Sequence, residues 1–223
     1  MKFKTLLLGM LISVCSLALP VLAEVETYTD PFKMIEVVAD RTFTRIAKDQ
    51  KKIEDNPDYL RVVVNEELIP YIDSRYAALR VIGNAADLRN TPREDLVAFV
   101  DAFQEYMIAT YAGVFTQYRD QKVMIEPASD IGNRKIISVK TRVIDPGKPD
   151  INIEFKLRQS KGSDNWLVFD MVAEGISLLD SKRAELSNII RQQGLKNVTS
   201  LLLEKAKTPI SNTKDQAEKA EQK

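Results

Sequence analysis

The stretch ISVKTRVIDPGKPDINIEFKLR, residues 137–158, decides the fold class. Ile137, Val139, Thr141 and Val143 alternate with Ser138, Lys140 and Arg142. After the turn residues Asp145-Pro146-Gly147, Ile151, Ile153, Phe155 and Leu157 alternate with Asn152, Glu154, Lys156 and Arg158. A period of two with one dry face is the mark of a strand half-covered by a core. The short turn predicts that the two strands run antiparallel. Val123 to Glu126 adds a short strand before them, and Ser160 to Asn165 leads into another from Trp166 to Val172. That last strand is apolar on both sides, with Trp166, Val168 and Val172 against Leu167, Phe169 and Met171, so its inner face stays open.

Outward from this meander the period becomes helical. Asp30-Pro31 is a helix start, and Phe32, Ile35, Val38, Phe43 and Ile46 follow at near-helical spacing. Asn56-Pro57 repeats the device before Leu60, Val63, Val64 and Leu68, and Pro70 ends or kinks that helix near Ile69. A further helix over Tyr71 to Ile82 carries Ile72, Tyr76 and Leu79 on one side and stops at Gly83. Thr91-Pro92-Arg93-Glu94 reads as a capping box opening a helix to about Tyr118. Its broad stripe is Leu96, Phe99, Val100, Phe103, Met107, Tyr111, Val114, Phe115 and Tyr118, either core or the wall of an apolar pocket. Beyond the strands, a helix from Ile176 through Leu179, Leu186, Ile189 and Ile190 closes at Gly194, and Val198, Leu201 and Leu202 mark a short last one. Helices, then strands, then helices predict an α+β domain with one curved antiparallel sheet packed under helices.

The ends of the chain carry other signals. Lys2 and Lys4, the apolar run Leu6 to Leu19, Pro20 and the small residues before Glu24 make residues 1–23 a secretory signal peptide, cleaved after Ala23. A lipoprotein cut before Cys15 is rejected because Val14 is too large. Cleavage removes the only cysteine and leaves a slightly acidic chain, from one that begins with 32 basic and 32 acidic residues. The expected organisation is one domain over 24–206 and a charged, disordered tail over 207–223.

Composition excludes several chemistries. There is no histidine, so no Ser-His-Asp triad, Cys-His pair or imidazole zinc ligand. The charge balance gives no case for nucleic acid. The glycines stand singly, so there is no phosphate loop. Ser177 or Ser181 with Lys182 is an imaginable dyad. Glu66-Glu67 and Asp170 with Glu174 are carboxylate pairs, read as exposed helix charges or turn ligands. No catalytic residue and no metal ligand is assigned.

The landmarks Asn56-Pro57-Asp58-Tyr59-Leu60, Leu68-Ile69-Pro70-Tyr71-Ile72-Asp73, Tyr76, Val81-Ile82-Gly83, Thr91-Pro92, Phe99, Phe103, Trp166, Phe169-Asp170-Met171 and Glu174-Gly175-Ile176-Ser177 stand in order behind the signal peptide. In this arrangement, from about Pro31 to Leu203, the chain resembles the MlaC family of the maintenance-of-lipid-asymmetry (Mla) pathway, also called the toluene-tolerance auxiliary family. It departs from the pattern at Asn84 to Leu88, which lacks an aromatic residue often found after the glycine. The resemblance implies a monomeric periplasmic carrier of glycerophospholipid with no cofactor. It implies a sheet wrapped by helices, similar to the nuclear-transport-factor cone, with an apolar pocket. The implied partners are an outer-membrane lipoprotein–porin complex and an inner-membrane ABC transporter carrying an MCE-domain protein.

Physical chemistry sets what such a pocket must do. Two chains of ~16 carbons exposed to water cost roughly 25 kcal/mol at about 0.8 kcal/mol per methylene. A lined volume is therefore required. The expected walls are Val139, Thr141, Val143, Ile153, Phe155 and Leu157 of the sheet and Phe99, Phe103, Met107 and Tyr111 of the long helix, with Ile82 and Ile176 closing one end. The rival readings are a small-molecule enzyme on the same cone, drawing on Thr141, Tyr111 and Asp170, and a ligand-free structural protein.

Overall fold

The computed structural model describes residues 26–211 except Arg119, Ser129 and Pro146. The expected signal peptide with Cys15, the proline of the Asp145–Gly147 turn and most of the charged tail lie outside the described residues.

Helix α1, Pro31–Lys48, begins where Asp30 Oδ1 accepts from the amides of Phe32 (2.9 Å) and Lys33 (3.1 Å). This satisfies two donors that no helical carbonyl can reach. After the short α2, Gln50–Asp55, the Asn56-Pro57 signal acts as a turn: Asn56 Oδ1 accepts from the Asp58 amide, and α3, Tyr59–Glu67, starts two residues later than the proline. Pro70 falls in a 3-10 turn, Ile69–Tyr71. The expected continuous helix from Tyr71 is broken there. Ile72 is extended and bridges Val168, Asp73 Oδ1 caps the Tyr76 amide, and α4 spans Ser74–Ile82. Its buried face is Ala77, Ala78, Val81 and Ile82, which pack into the cluster shared with α5 and α6, while Ile72 and Leu79 of the expected stripe are only partly buried against it. Gly83 ends it at φ 50°.

The capping box at Thr91 does not form. The Thr91 hydroxyl donates to the Asp87 carbonyl, and α5, Arg93–Phe115, starts after Pro92 with no side-chain cap. Glu94 and Asp95 in its first turn favour the positive end of the helix dipole instead.

Five strands follow in sequential order, each antiparallel to its neighbour: β1 Lys122–Ile125, β2 Ile136–Ile144, β3 Ile151–Gln159, β4 Trp166–Ala173 and β5 Ile176–Ser177. Val139 opposes Phe155, and Phe155 opposes Met171. The β3–β4 register then shifts: Lys156 faces Asp170 but Leu157 faces Val168, leaving Phe169 unpaired. This bulge puts Val168 and Met171 on one face. A strict period of two could therefore not assign the inner face of β4. Ile176, expected to open a helix, lies in β5. Helix α6, Leu178–Ala206, starts at Ser177, whose Oγ accepts from the Asp180 amide, and breaks at Gly194 (φ 80°, ψ 164°) into the two runs expected.

Among the described residues the core divides into three clusters. One joins α4, α5 and α6 through Ile82, Phe99, Phe103, Met107, Leu179 and Leu186. A second joins α1 to the sheet through Met34, Val38, Val139, Leu157 and Trp166. A third joins the end of α1 to α2, α3 and α5 through Ile46, Ile53, Leu60 and Ile108. Glu66 and Glu67 belong to the clasp between α1 and α3. Arg45 meets Glu66 at 2.6 Å and Glu67 at 2.7 Å, while Arg41 reaches Glu67 at 2.6 Å and Tyr71 Oη at 2.8 Å. That is a brace, with no carboxylate left over for acid–base work.

Candidate functional site

The amino-terminal turn of α6 is pinned to the sheet by one carboxylate. Asp170 sits on β4 at 7% exposure. Its Oδ1 accepts from the Leu179 amide (3.0 Å), its Oδ2 accepts from Ser177 Oγ (2.8 Å), and Lys156 Nζ lies at 3.2 Å. A buried carboxylate is tolerable when its oxygens are filled this way. Phe169, displaced by the bulge, turns edge-on to Tyr76 at 5.1 Å between centroids. Between this part of β4, α5 and the start of α6 lies a cavity of about 250 Å³.

Its floor is buried: Ala77 from α4, Phe103 and Met107 from α5, and Leu179 from α6, beside Asp170. Tyr111, Phe169 and Met171 complete the apolar walls. Burial raises the Tyr111 phenol to about 12, and the Asp170 carboxylate adds to the rise, so the ring remains neutral at ordinary pH. The rim is polar and wetter, formed by Tyr106, Thr110, Ser181, Lys182 and Glu185, with Leu178 among them. Lys182 Nζ donates to Tyr106 Oη (2.8 Å) and to Glu185. Burial alone would lower its pKa, but the bonds to Glu185 and Tyr106 outweigh it and hold it above the usual lysine value.

The rim does not contain the imagined Ser–Lys dyad. Ser177 Oγ serves Asp170 and Asp180, and Ser181 Oγ donates to the Ser177 carbonyl. Among the described residues no group of three or more His, Cys, Asp or Glu is placed to hold a metal ion. No described helix is long and apolar enough to cross a membrane.

A second, larger space of about 860 Å³ is a groove between α1 and β1, with Phe32, Val37, Phe43, Tyr118, Val123 and Ile125 in its walls and Lys33, Glu36, Asp40 and Glu126 along it. None of its lining residues is buried, so it is a surface groove. Val123 and Ile125 oppose Val143 and Thr141, which makes its β1 wall an extension of the dry sheet face.

The twelve residues expected to line a pocket are thus distributed over two regions. Phe103, Met107 and Tyr111 line the deep cavity. Ile82 and Phe99 are fully buried in the packing of the three helices around it. Val139 and Leu157 are packed under α1, with Phe155 against them. Thr141, Val143 and Ile153 share that sheet face, and the Thr141 hydroxyl donates to the Ile153 carbonyl at 3.0 Å. Ile176 does not close an end: it is 62% exposed, because β5 is an edge strand of two residues. Sequence reasoning missed Phe169 and Met171 as wall residues, since the bulge that aims them has no signature in the period. It also missed Tyr106 and Lys182, which come together only through the packing of α5 on α6.

A family model described as MlaC protein matches residues 36–204. The chain belongs to the MlaC family. A relative from Haemophilus influenzae, the intermembrane phospholipid transport system binding protein MlaC, is 31% identical over 183 residues, covering 82% of this chain and 85% of that protein. A solved phospholipid-binding protein from Ralstonia solanacearum, in complex with a phospholipid, superposes with a TM-score of 0.70 at 19% identity, covering 79% of this chain and 97% of that one. The MlaC fold is therefore shared well beyond recognisable sequence identity, and the helix-wrapped antiparallel sheet expected from the residues is its scaffold.

Proposed function

We propose that this MlaC-family chain is a periplasmic carrier that shelters the acyl chains of a glycerophospholipid while it passes between the two membranes of the envelope. Its exchange partners are an outer-membrane lipoprotein–porin complex and an inner-membrane ABC transporter with an MCE-domain protein, and the exchange maintains outer-membrane lipid asymmetry. The observation that carries the reading is the cavity between α5, β4 and α6, buried and apolar at its floor except for the fully bonded Asp170, and polar at its rim. That is the polarity profile of an amphiphile. Phe103, Met107 and Tyr111 remain its wall, with Phe169, Met171 and Leu179 added. Val139, Thr141, Val143, Ile153, Phe155 and Leu157 are the sheet face that backs the fold.

At about 250 Å³ the cavity is smaller than the ~300–1,000 Å³ typical of ligand pockets. Loading two chains requires it to widen. Met107 and Met171 suit that task, because an unbranched thioether changes rotamer cheaply. The polar groups on hand argue against the enzyme reading: Asp170 is occupied in holding α6, and Thr141 in bonding the β3 backbone.

The test is an organic extract of the purified mature protein analysed by mass spectrometry. Phospholipid near one molecule per chain is expected. Its absence from several preparations, and no uptake from vesicles, would refute the carrier reading.

A further inference from the structure

Among the residues lining the deep cavity, one is a cation. Lys182 lies one turn into α6 at the polar rim, its side chain 23% exposed. An ammonium has three N–H donors. One is given to Tyr106 Oη and one to Glu185, and the ammonium also sits 4.8 Å from the centroid of the Tyr106 ring. Among the described residues the third donor has no partner. The opposite charge at the floor, Asp170, is already matched by Lys156, the Leu179 amide and Ser177. Two of the first amides of α6, those of Leu179 and Asp180, are likewise taken, by Asp170 and by Ser177 Oγ. The full positive charge at this mouth is the Lys182 ammonium, held by an exchangeable pair with Glu185. Its other partner, Glu185, is 43% exposed and can turn to solvent without leaving a buried charge.

We propose that Lys182 receives the phosphodiester of the bound lipid, with Tyr106 positioning the ammonium at the mouth of the cavity. This rests on the carrier reading and adds head-group recognition to it. A phosphate oxygen replaces Glu185 as the anionic partner while an acyl chain descends past Leu178 toward Met107. Other groups of the head extend into water, so recognition is of the phosphate shared by glycerophospholipids and not of any one head-group alcohol. A largely apolar floor with a cation at its lip whose anionic partner, Glu185, is exchangeable fits a phospholipid better than a neutral diacylglycerol of equal chain length.

The experiment is a competition. The purified protein is incubated with vesicles holding equal amounts of dipalmitoyl phosphatidylglycerol and dipalmitoylglycerol, re-isolated and extracted, and the ratio of the two lipids is measured. Because the readout is a ratio, partial unfolding of a variant does not imitate the effect. The wild type is expected to enrich the phospholipid, and Lys182→Gln to lower that enrichment by about tenfold, the size of one charge-assisted hydrogen bond. Lys182→Arg is expected to restore it. An unchanged ratio in Lys182→Gln, or no enrichment by a wild type that loads both lipids, would overturn the proposal and leave the carrier reading standing. A wild type that loads neither lipid removes both. A last arm uses inorganic phosphate alone: Lys182-dependent thermal stabilisation as large as that given by the vesicles would assign the site to a free anion and overturn the head-group reading.

Discussion

Replacing Asp170 with alanine tests whether this carboxylate builds the site or performs chemistry in it. Alanine leaves the Leu179 amide, Ser177 Oγ and Lys156 Nζ without their shared acceptor. Lys156 is one-third exposed and recovers water, and Ser177 keeps its bond from Asp180. The Leu179 amide belongs to a residue 7% exposed and has no such recourse. An orphaned buried donor costs about 1–3 kcal/mol, and breaking a buried charged pair about 3–5 kcal/mol. Since Lys156 escapes most of the second cost, the expected loss for Asp170→Ala is about 3 kcal/mol. For a domain of this size that lowers the melting temperature by roughly 6–12 °C. Asp170→Asn keeps an acceptor for the Leu179 amide and should lose about half as much.

Urea unfolding of the wild type, both variants, Lys156→Met and the Asp170→Ala/Lys156→Met pair gives the stability terms and their coupling. Loosening the start of α6 also displaces Leu178, Leu179 and Lys182, so lipid loading should fall with stability. A loss below about 1 kcal/mol for Asp170→Ala would refute the reasoning, since an orphaned buried donor alone costs that much. A gain in stability would be the sign of a strained catalytic group, for which removal commonly stabilises.

Other predictions follow from the same geometry. Met107→Trp should fill the cavity between α5 and β4 and at least halve the phospholipid recovered in extracts, with a stability change of about 1–3 kcal/mol; wild-type loading in a folded variant would place the acyl chains elsewhere. Gly83→Ala should destabilise by about 1–3 kcal/mol because φ there is 50° and the added Cβ would lie 2.8 Å from Arg183 Nε. Thermal unfolding checks it, and a neutral result would mean that α4 ends without the left-handed glycine.

Much of the scaffold was legible because its signals are local. The Asp30 cap, the Pro70 interruption, the Gly194 break and the dry face of β2 each depend on a few neighbouring residues, and each stands in the structure, whereas β3 is largely half-buried on both faces with Ile151 exposed. The failures are also local signals, overruled by a competing neighbour or by a partner from elsewhere in the chain. Thr91 could have capped α5 but bonds Asp87, and Tyr71 could have continued a helix but is held by Arg41. The α4 stripe was misjudged because the helix begins only at Ser74, after the break at Ile72, and the side turned to α5 and α6 is the one carrying Ala77, Ala78, Val81 and Ile82.

By itself the sequence determined the class of fold, the order of the elements and the chemistry unavailable to them, since periodicity, caps and the lack of histidine are properties of the chain alone. The landmarks also carried the family. The tertiary structure decided where the cavity is. Its walls come from α4, α5, β4 and α6, one of them aimed by an unpaired bulge residue, and its rim joins Tyr106 to Lys182 across 76 positions of chain. A cavity is a volume that packing leaves unfilled, and no local pattern specifies it. The same packing took Ile176 out of the predicted wall and put Lys182 at its mouth.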